Sequence, residues 1–192
     1  MRQVMNSVAA LAVLLSLAAG LAQIAHAQGR KATLPAHVNV PTIAARPEDV
    51  ASIDSIMKAF YEVVSGPAGE PRQWSRDRSL YIAGVRFVSM NVNDKGEPVA
   101  RVMDHQQFVD ASDHQVVSTG FYEWEIHRET KRFGNIAHVF STYESRITKD
   151  GPVIARGVNS VELYWDGKRW WIAGAIWDEE RKDNPLTKDF LN

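Results

Sequence analysis

The chain has 192 residues, with 22 Lys and Arg against 23 Asp and Glu, a formal net charge of −1 and no cysteine. A near-neutral chain without a basic block lacks the electrostatic footprint of a nucleic-acid-binding protein. The absence of cysteine excludes a disulfide framework and thiol catalysis, so packing alone must hold the fold.

The N-terminus has the pattern of a secretory signal peptide. A short basic start is followed by an almost wholly apolar run over residues 8–22, and Ala25 and Ala27 supply the small residues that a signal peptidase reads. The sequence therefore predicts a signal peptide over 1–27, with cleavage before Gln28, and a periplasmic or secreted bacterial protein. The apolar run is shorter than the roughly 20 residues that span a bilayer, which favours a cleaved signal over a membrane anchor.

A leader and a helix are predicted next. Residues 28–46 are rich in Ala and Pro and have no period, which indicates a flexible leader before a domain over 47–192. Pro47 suits the first position of a helix. Apolar residues then recur at helical spacing as far as Val64, and Gly66 ends the run.

Further along the chain the period changes. A shorter helix is predicted to bury Trp74, and the apolar stretches 85–90 and 98–103 flank a turn-forming segment, which predicts a hairpin. Asp104 followed by Gln107 has the spacing of a capping box and predicts the start of another helix.

The C-terminal half of the chain is predicted to be a β-meander. Four long stretches have strand character, and turn residues separate the last three of them: 120–132, 135–148, 153–165 and 169–178. Helices first and a long antiparallel meander last are typical of an α+β fold.

Two adjacent tryptophans in the last of these strands bear on how the sheet is covered. Neighbours in a strand point to opposite faces, so Trp170 and Trp171 are separated, and regular alternation places Trp171 on the side of Trp177. Both faces of this strand are apolar, whereas an antiparallel sheet normally leaves one face to water. We therefore expect helices to cover one face and a second copy of the chain to cover the other, as a homodimer formed sheet to sheet.

Several stretches resemble one known superfamily. They are "GEPRQWSRDRSLY", "RFGNIAHVFSTYESR", "GVNSVELYWDGKRWWIAGAIWDEE" and "NPLTKDFL". Together they are similar to the nuclear transport factor 2-like superfamily, in particular to its polyketide-cyclase-like (SnoaL-like) bacterial members of unassigned activity, over nearly all of 47–192. The resemblance implies a cone, in which a strongly curved sheet wraps around helices and opens into a cavity, often with a dimer through the outer face of the sheet. Gly157 and Gly174 fit such curvature, because bends and bulges in strands favour glycine.

The same fold serves isomerases, dehydratases, cyclases and binding domains, so the residues must indicate the function. His138 lies in the middle of a predicted strand, with Thr142 and Glu144 further along the same face. An imidazole near a carboxylate inside the cavity could act as a general acid or base near neutral pH. The alternative is a structural histidine, in the core or at the dimer face.

A second polar group lies in the strand 120–132. Glu123, Glu125 and His127 alternate along one face and could bind a metal, but Arg128 and Lys131 crowd the same region. A salt-bridged outer surface is the better interpretation. The histidines of the chain show no metal-binding spacing, and no metal or other cofactor is predicted.

A ligand site is predicted at the mouth of the cone. An apolar cavity with a few polar groups is typical of small-molecule sites, and four residues are predicted to line it: Tyr81, Trp124, Asn159 and Trp171. Asn159 could instead make a structural hydrogen bond across the sheet. The resemblance implies an Asp base in related isomerases, but Asp77 is better explained here as a surface residue.

Two functions therefore remain open. The first is an exported domain that binds a small molecule in an apolar cone cavity or takes part in assembly, and the lack of a recognisable acid–base pair favours it. The second is a cofactor-free lyase, isomerase or cyclase that acts on a small apolar carbonyl compound, with His138 as acid or base.

Overall fold

Helices and a hairpin come first and a long antiparallel meander follows, as predicted. The computed structural model describes residues 36–191, so the predicted signal peptide and the first part of the leader lie outside the described residues. The helices are α1 (Pro47–Val50), α2 (Ile53–Glu62), α3 (Trp74–Arg78) and α4 (His105–Thr119), and a 3₁₀ turn spans Lys188–Phe190. The strands are β1 (Tyr81–Val92), β2 (Pro98–Met103), β3 (Tyr122–Phe133), β4 (Ile136–Arg146), β5 (Val153–Trp165) and β6 (Trp170–Glu179). Between residues 36 and 191, no helix has both the length and the apolar character needed to cross a membrane.

The single first helix of the prediction is two helices. Ser52 starts α2 with a capping box, in which the backbone N–H of Ser55 donates to its hydroxyl at 3.0 Å. The break places Asp49 of α1 against Arg76 of α3, whose Nη2 lies 2.7 Å from the carboxylate. This hydrogen bond lowers the pKa of Asp49, and the buried ion pair ties the N-terminal helices together.

The six strands form one sheet in the order β2-β1-β6-β5-β4-β3. The predicted hairpin and the predicted meander are both present, and all neighbours are antiparallel except β1 and β6, which pair in parallel. This parallel pairing joins the hairpin to the far end of the meander. It was not predicted, because it links strands that are distant in the chain.

Bulges curve the sheet and change the alternation of its faces. The register of β6 against β5 skips Ala173, so Trp170 and Ile172 face inward before the bulge, and Ala175 and Trp177 face inward after it. Trp171 therefore lies on the opposite face from Trp177, and the predicted shared face is wrong. A second bulge in β3 skips Ile126.

The core lies between the concave face of the sheet and the helices. Its buried members come mainly from α2 and from the inner positions of the strands, and they include Ile56, Met57, Phe87, Val139 and Ile172.

Part of the predicted flexible leader is held in place. Val40 is buried against Trp74 and Val109, and the backbone N–H of Val38 donates to Asp110 at 2.9 Å. These contacts fix residues 38–40 on α3 and α4, because the leader carries apolar side chains that complete a small cluster.

Candidate functional site

A cavity lies between α4 and the concave face of the sheet, inside the cone. Its wall is mainly apolar and aromatic, with contributions from each described helix but α1 and from all strands but β2. The volume of the cavity is about 90 Å³. At roughly 10–15 Å³ for each water, this space suits a ligand of about six to nine non-hydrogen atoms.

Two carboxyl groups face this apolar space. Glu123 of β3 and Glu179 of β6 both line the cavity, and the Ser145 hydroxyl donates to Glu123 Oε2 at 3.2 Å. Burial raises the pKa of Glu123 to about 8, and the nearby Glu179 carboxyl adds to the rise. Burial, helped by Asp178, raises the pKa of Glu179 to about 7. Both groups therefore change their protonation near neutral pH, as acids and bases of a functional site do.

Tyr143 of β4 supplies a phenol to the same wall. Burial, together with the charges of Glu123 and Glu179, raises the pKa of Tyr143 well above its usual value. The phenol therefore keeps its proton and can donate a hydrogen bond into the cavity. Gly157 makes room for it, since a Cβ at that position would lie 2.6 Å from the Tyr143 hydroxyl oxygen.

Replacing Gly157 by alanine should therefore displace the phenol. We expect Gly157→Ala to lower the free energy of unfolding by about 1–3 kcal/mol, because the added methyl group overpacks the strand pair. Gly174→Ala is the matched control, since a Cβ at Gly174 meets only ordinary contact at 3.5 Å from the Arg86 carbonyl oxygen. Urea denaturation of both variants measures the difference, and equal losses would contradict this role of Gly157.

A chain of hydrogen bonds orients the polar group of β5, Asn159. Ser141 donates to Glu125, which also accepts from Arg128 Nε at 2.8 Å. The Ser141 oxygen then accepts from Tyr61, with 2.6 Å between the two hydroxyl oxygens, and the Tyr61 oxygen accepts from Asn159 Nδ2 at 3.1 Å. Because each hydroxyl in this series donates to the next group, the Asn159 amide faces Tyr61 with Nδ2, and its Oδ1 remains an acceptor for the cavity.

Removing the central hydroxyl should cost stability. We expect Tyr61→Phe to lower the free energy of unfolding by about 1–3 kcal/mol, because the buried groups of Ser141 and Asn159 lose a partner. Tyr164→Phe, on the outer face of the sheet, serves as the control. Guanidinium denaturation compares the two variants, and a Tyr61→Phe protein as stable as the control would show that these hydrogen bonds do not stabilise the fold.

A second buried network holds Tyr81 at the cavity wall. Asp77, which is 0% exposed, accepts from the Tyr81 hydroxyl at 2.8 Å and from His105 Nε2 at 2.9 Å. Arg78 Nε donates to His105 Nδ1 at 3.3 Å, which assigns the ring proton to Nε2. The prediction of Asp77 as a surface residue is wrong. Tyr81 presents its ring to the cavity, while its hydroxyl is used by Asp77.

The structure brings only some of the predicted ligand residues together. Tyr81 and Asn159 line the cavity. Trp171 lies on the outer face, where its Nε1 donates to Asp166 at 2.7 Å and Arg169 stacks on its ring. Trp124 also faces outward, opposite Glu144, and contacts Arg146. The prediction that these two tryptophans line the cavity is therefore corrected.

His138 also lies outside the cavity. It is on the outer face of β4, where its Nε2 is 2.9 Å from the Ser160 hydroxyl and 3.9 Å from Glu162. Inner positions of the same strand belong to Ala137 and Val139, which are buried in the core. His138 therefore has no access to a ligand inside the cone and is not the acid or base of a reaction there.

Sequence reasoning missed the two carboxyl groups of the cavity, Glu123 and Glu179. Glu123 was assigned to a salt-bridged outer surface together with Glu125, which does not line the cavity, but both face inward and accept hydrogen bonds from serines of β4. The bulge at Ile126 moves His127 off their face. Within the described residues, no three metal-ligating side chains come together. The usable signal was the alternation of Glu123 and Glu125 on the same face.

Known proteins resemble this chain in fold and not in sequence. No family model and no curated protein matches the chain. Among solved structures, LinA is 10% identical, with 72% of this chain and 89% of that chain covered and a TM-score of 0.50. A protein of unknown function with a cystatin-like fold from Nostoc punctiforme is 6% identical, with 73% and 97% covered and a TM-score of 0.52.

Another solved structure with a similar fold is named as an NTF2-like protein. An NTF2-like protein of unknown function from Shewanella baltica is 10% identical, with 68% and 92% covered and a TM-score of 0.43. The six-stranded curved sheet around a few helices is an open α+β cone. It is the cone that the sequence predicts, and the chain shares this fold with LinA and the Nostoc punctiforme protein.

Proposed function

We propose that this protein binds a small, largely apolar molecule in the cavity of its cone. The observation that carries the proposal is the convergence of Glu123, Glu179, Tyr143 and Asn159, from four different strands, on one apolar space. Ligand sites combine an apolar wall with a few polar groups that fix the orientation of the ligand.

The arrangement is costly without a ligand. Two carboxyl groups in an apolar cavity reduce stability, since burial disfavours their charged forms. The buried hydroxyl of Ser112, on the same wall, has no hydrogen-bond partner among the described residues. A bound molecule with polar groups offers these side chains the partners that the protein itself does not supply.

Native mass spectrometry of protein purified from its own host tests the proposal. We expect a small molecule to co-purify with the wild-type protein and to be lost in Ala155→Phe, which places a ring in the cavity. Ala100→Phe, on the exposed strand β2, is the control and should retain it. A wild-type protein that carries no small molecule, and that takes up no apolar compound when one is added, would contradict the proposal.

Catalysis is a second candidate, favoured by the raised pKa of Glu123 and of Glu179. A carboxyl group that titrates near neutral pH suits general acid–base chemistry. These glutamates would take the role first considered for His138, in a lyase, isomerase or cyclase without a cofactor. LinA, a name also given to hexachlorocyclohexane dehydrochlorinases, has a similar fold, so a protein with this fold can be an enzyme.

Proton exchange tests the catalytic candidate without knowledge of the substrate. If Glu179 or Glu123 is a base, the protein should speed the exchange of the α-protons of cyclohexanone in D₂O, followed by NMR. Glu179→Gln and Glu123→Gln should reduce the effect, whereas His138→Gln should leave it unchanged. A wild-type rate equal to that of buffer would count against catalysis and leave ligand binding as the proposal.

We also propose that a second copy covers the outer face of the sheet. Large apolar side chains are exposed there on β2, β4 and β6, among them Val102 (60%), Ile136 (59%) and Ile176 (48%). Such a patch on a monomer favours association. Sedimentation at micromolar concentration should give a dimer for the wild-type protein and a monomer for Ile176→Lys, while Val153→Lys, at the start of β5, stays dimeric. A wild-type monomer would refute the dimer.

Export is part of the proposed function. The pattern of residues 1–27 supports a mature protein that begins at Gln28 outside the cytoplasm. Cell fractionation followed by N-terminal sequencing tests this, and an intact Met1 on cytoplasmic protein would overturn it.

A further inference from the structure

Aromatic rings dominate the wall of the cavity. Eight of the residues that line it are aromatic, and they include Phe60, Trp74, Phe87, Phe108 and Trp177. Their rings come from α2, α3, α4, β1 and β6, so they surround the space on several sides. The faces of aromatic rings attract cations through their quadrupoles, most strongly where water is excluded.

The charged groups of the wall all have one sign. Among the described residues that line the cavity, two are Glu and none is Lys, Arg or His. The oriented amide of Asn159 adds a carbonyl oxygen, since its Nδ2 is used by Tyr61. The wall therefore provides aromatic rings, carboxyl groups and a carbonyl oxygen, and these groups favour a positive charge.

We infer that the cavity recognises an organic cation, a small ammonium ion with apolar substituents. The inference rests on the proposed ligand-binding function and names its ligand class. An anion would face two carboxyl groups without a compensating cation. A neutral molecule would fill the space but leave the carboxyl groups uncompensated. An ammonium ion pairs with Glu123 and Glu179 while its substituents contact the rings.

The charge of the cavity wall depends on pH, so the affinity for a cation should depend on pH as well. The titratable groups that face the ligand space are Glu123 from β3, Tyr81 from β1, Tyr143 from β4 and Glu179 from β6. Helices α2, α3 and α4 contribute apolar or uncharged side chains only. Asp178 and Arg181 act on Glu179 from nearby. Both tyrosines keep their protons, so the two glutamates control the charge, and cation binding should strengthen as they ionise.

A pair of isosteric probes separates charge from shape. Choline and 3,3-dimethylbutan-1-ol have the same shape, but choline carries a positive charge that does not titrate. We expect choline to bind the wild-type protein about tenfold more tightly than the alcohol at pH 8, measured by calorimetry. The preference should shrink at pH 5.5, where the glutamates are protonated, without any substitution.

Glutamine variants locate the effect. Glu123→Gln combined with Glu179→Gln should abolish the preference for choline, while Glu162→Gln, on the outer face, should keep the preference of the wild-type protein. Equal binding of the two probes by the wild-type protein at pH 8 would overturn the cation inference and leave the proposed function intact. If neither probe binds, and the apolar compound benzyl alcohol does not bind either, the proposed function itself fails.

Discussion

The free energy of unfolding is expected to fall as the pH rises from about 5 to 8, and Glu123→Gln is expected to remove most of that fall. The carboxyl group of Glu123 has its pKa raised from 4.5 to about 8 by burial. Between these values the unfolded chain has released the proton that the folded protein still holds. The unfolded state then binds fewer protons than the folded state, so stability decreases as the pH rises.

The size of this effect follows from the shift of the pKa. A shift of one pKa unit corresponds to about 1.4 kcal/mol. Glu123→Gln should therefore stabilise the protein more at pH 8 than at pH 5, and the two stabilisations should differ by on the order of 3 kcal/mol in the free energy of unfolding. Glutamine has nearly the same shape as the protonated carboxyl group, so packing should change little. Urea denaturation at both pH values measures the difference.

Glu162→Gln is the control for this prediction, because that side chain is exposed on the outer face. Its stability should follow that of the wild-type protein at both pH values. Glu179→Gln should show a smaller effect of the same sign, since burial raises the pKa of Glu179 only to about 7. A Glu123→Gln protein with the same pH dependence as the wild-type protein would show that Glu123 ionises freely in the folded state.

The local elements could be predicted from the sequence because their signals are local. The capping box of Asp104 and Gln107 starts α4 as expected, with 2.8 Å between the Gln107 nitrogen and the Asp104 carboxylate. The break before α2 was missed, although Ser52 is a good N-cap residue, because the apolar spacing continues across it. The parallel pairing of β1 with β6 has no local signal.

Two predicted ligand residues, Tyr81 and Asn159, line the cavity. Asn159 was found because its polarity interrupts an apolar face. Glu123 was assigned to the surface because charged residues are seldom buried, and because basic residues follow it in the chain. Its inward orientation depends on pairing with Ser145 across the curved sheet. The outward placement of His138 likewise follows from the register of β4, which local sequence does not determine.

The bulge at Ala173 decides what each of the adjacent tryptophans of β6 contacts. Trp170 is 3% exposed and packs against Trp165, with ring centroids 5.9 Å apart. Trp171 lies half-buried on the outer face under Arg169. We expect Trp170→Ala to lower the free energy of unfolding by about 3–5 kcal/mol, because it empties a buried site. Trp171→Ala should cost only about 1 kcal/mol, since it loses a ring contact and one exposed hydrogen bond.

Guanidinium denaturation of the two alanine variants, below the concentration at which the chain associates, measures this difference directly. A dimer would add to the cost of Trp171→Ala at higher concentration, because the outer face is then covered, whereas the cost of Trp170→Ala should not depend on concentration. Equal costs in the isolated chain would mean that both indoles are buried in one copy. The outer face would then be closed at Trp171 by the chain itself, and this part of the sheet would not be available to a partner.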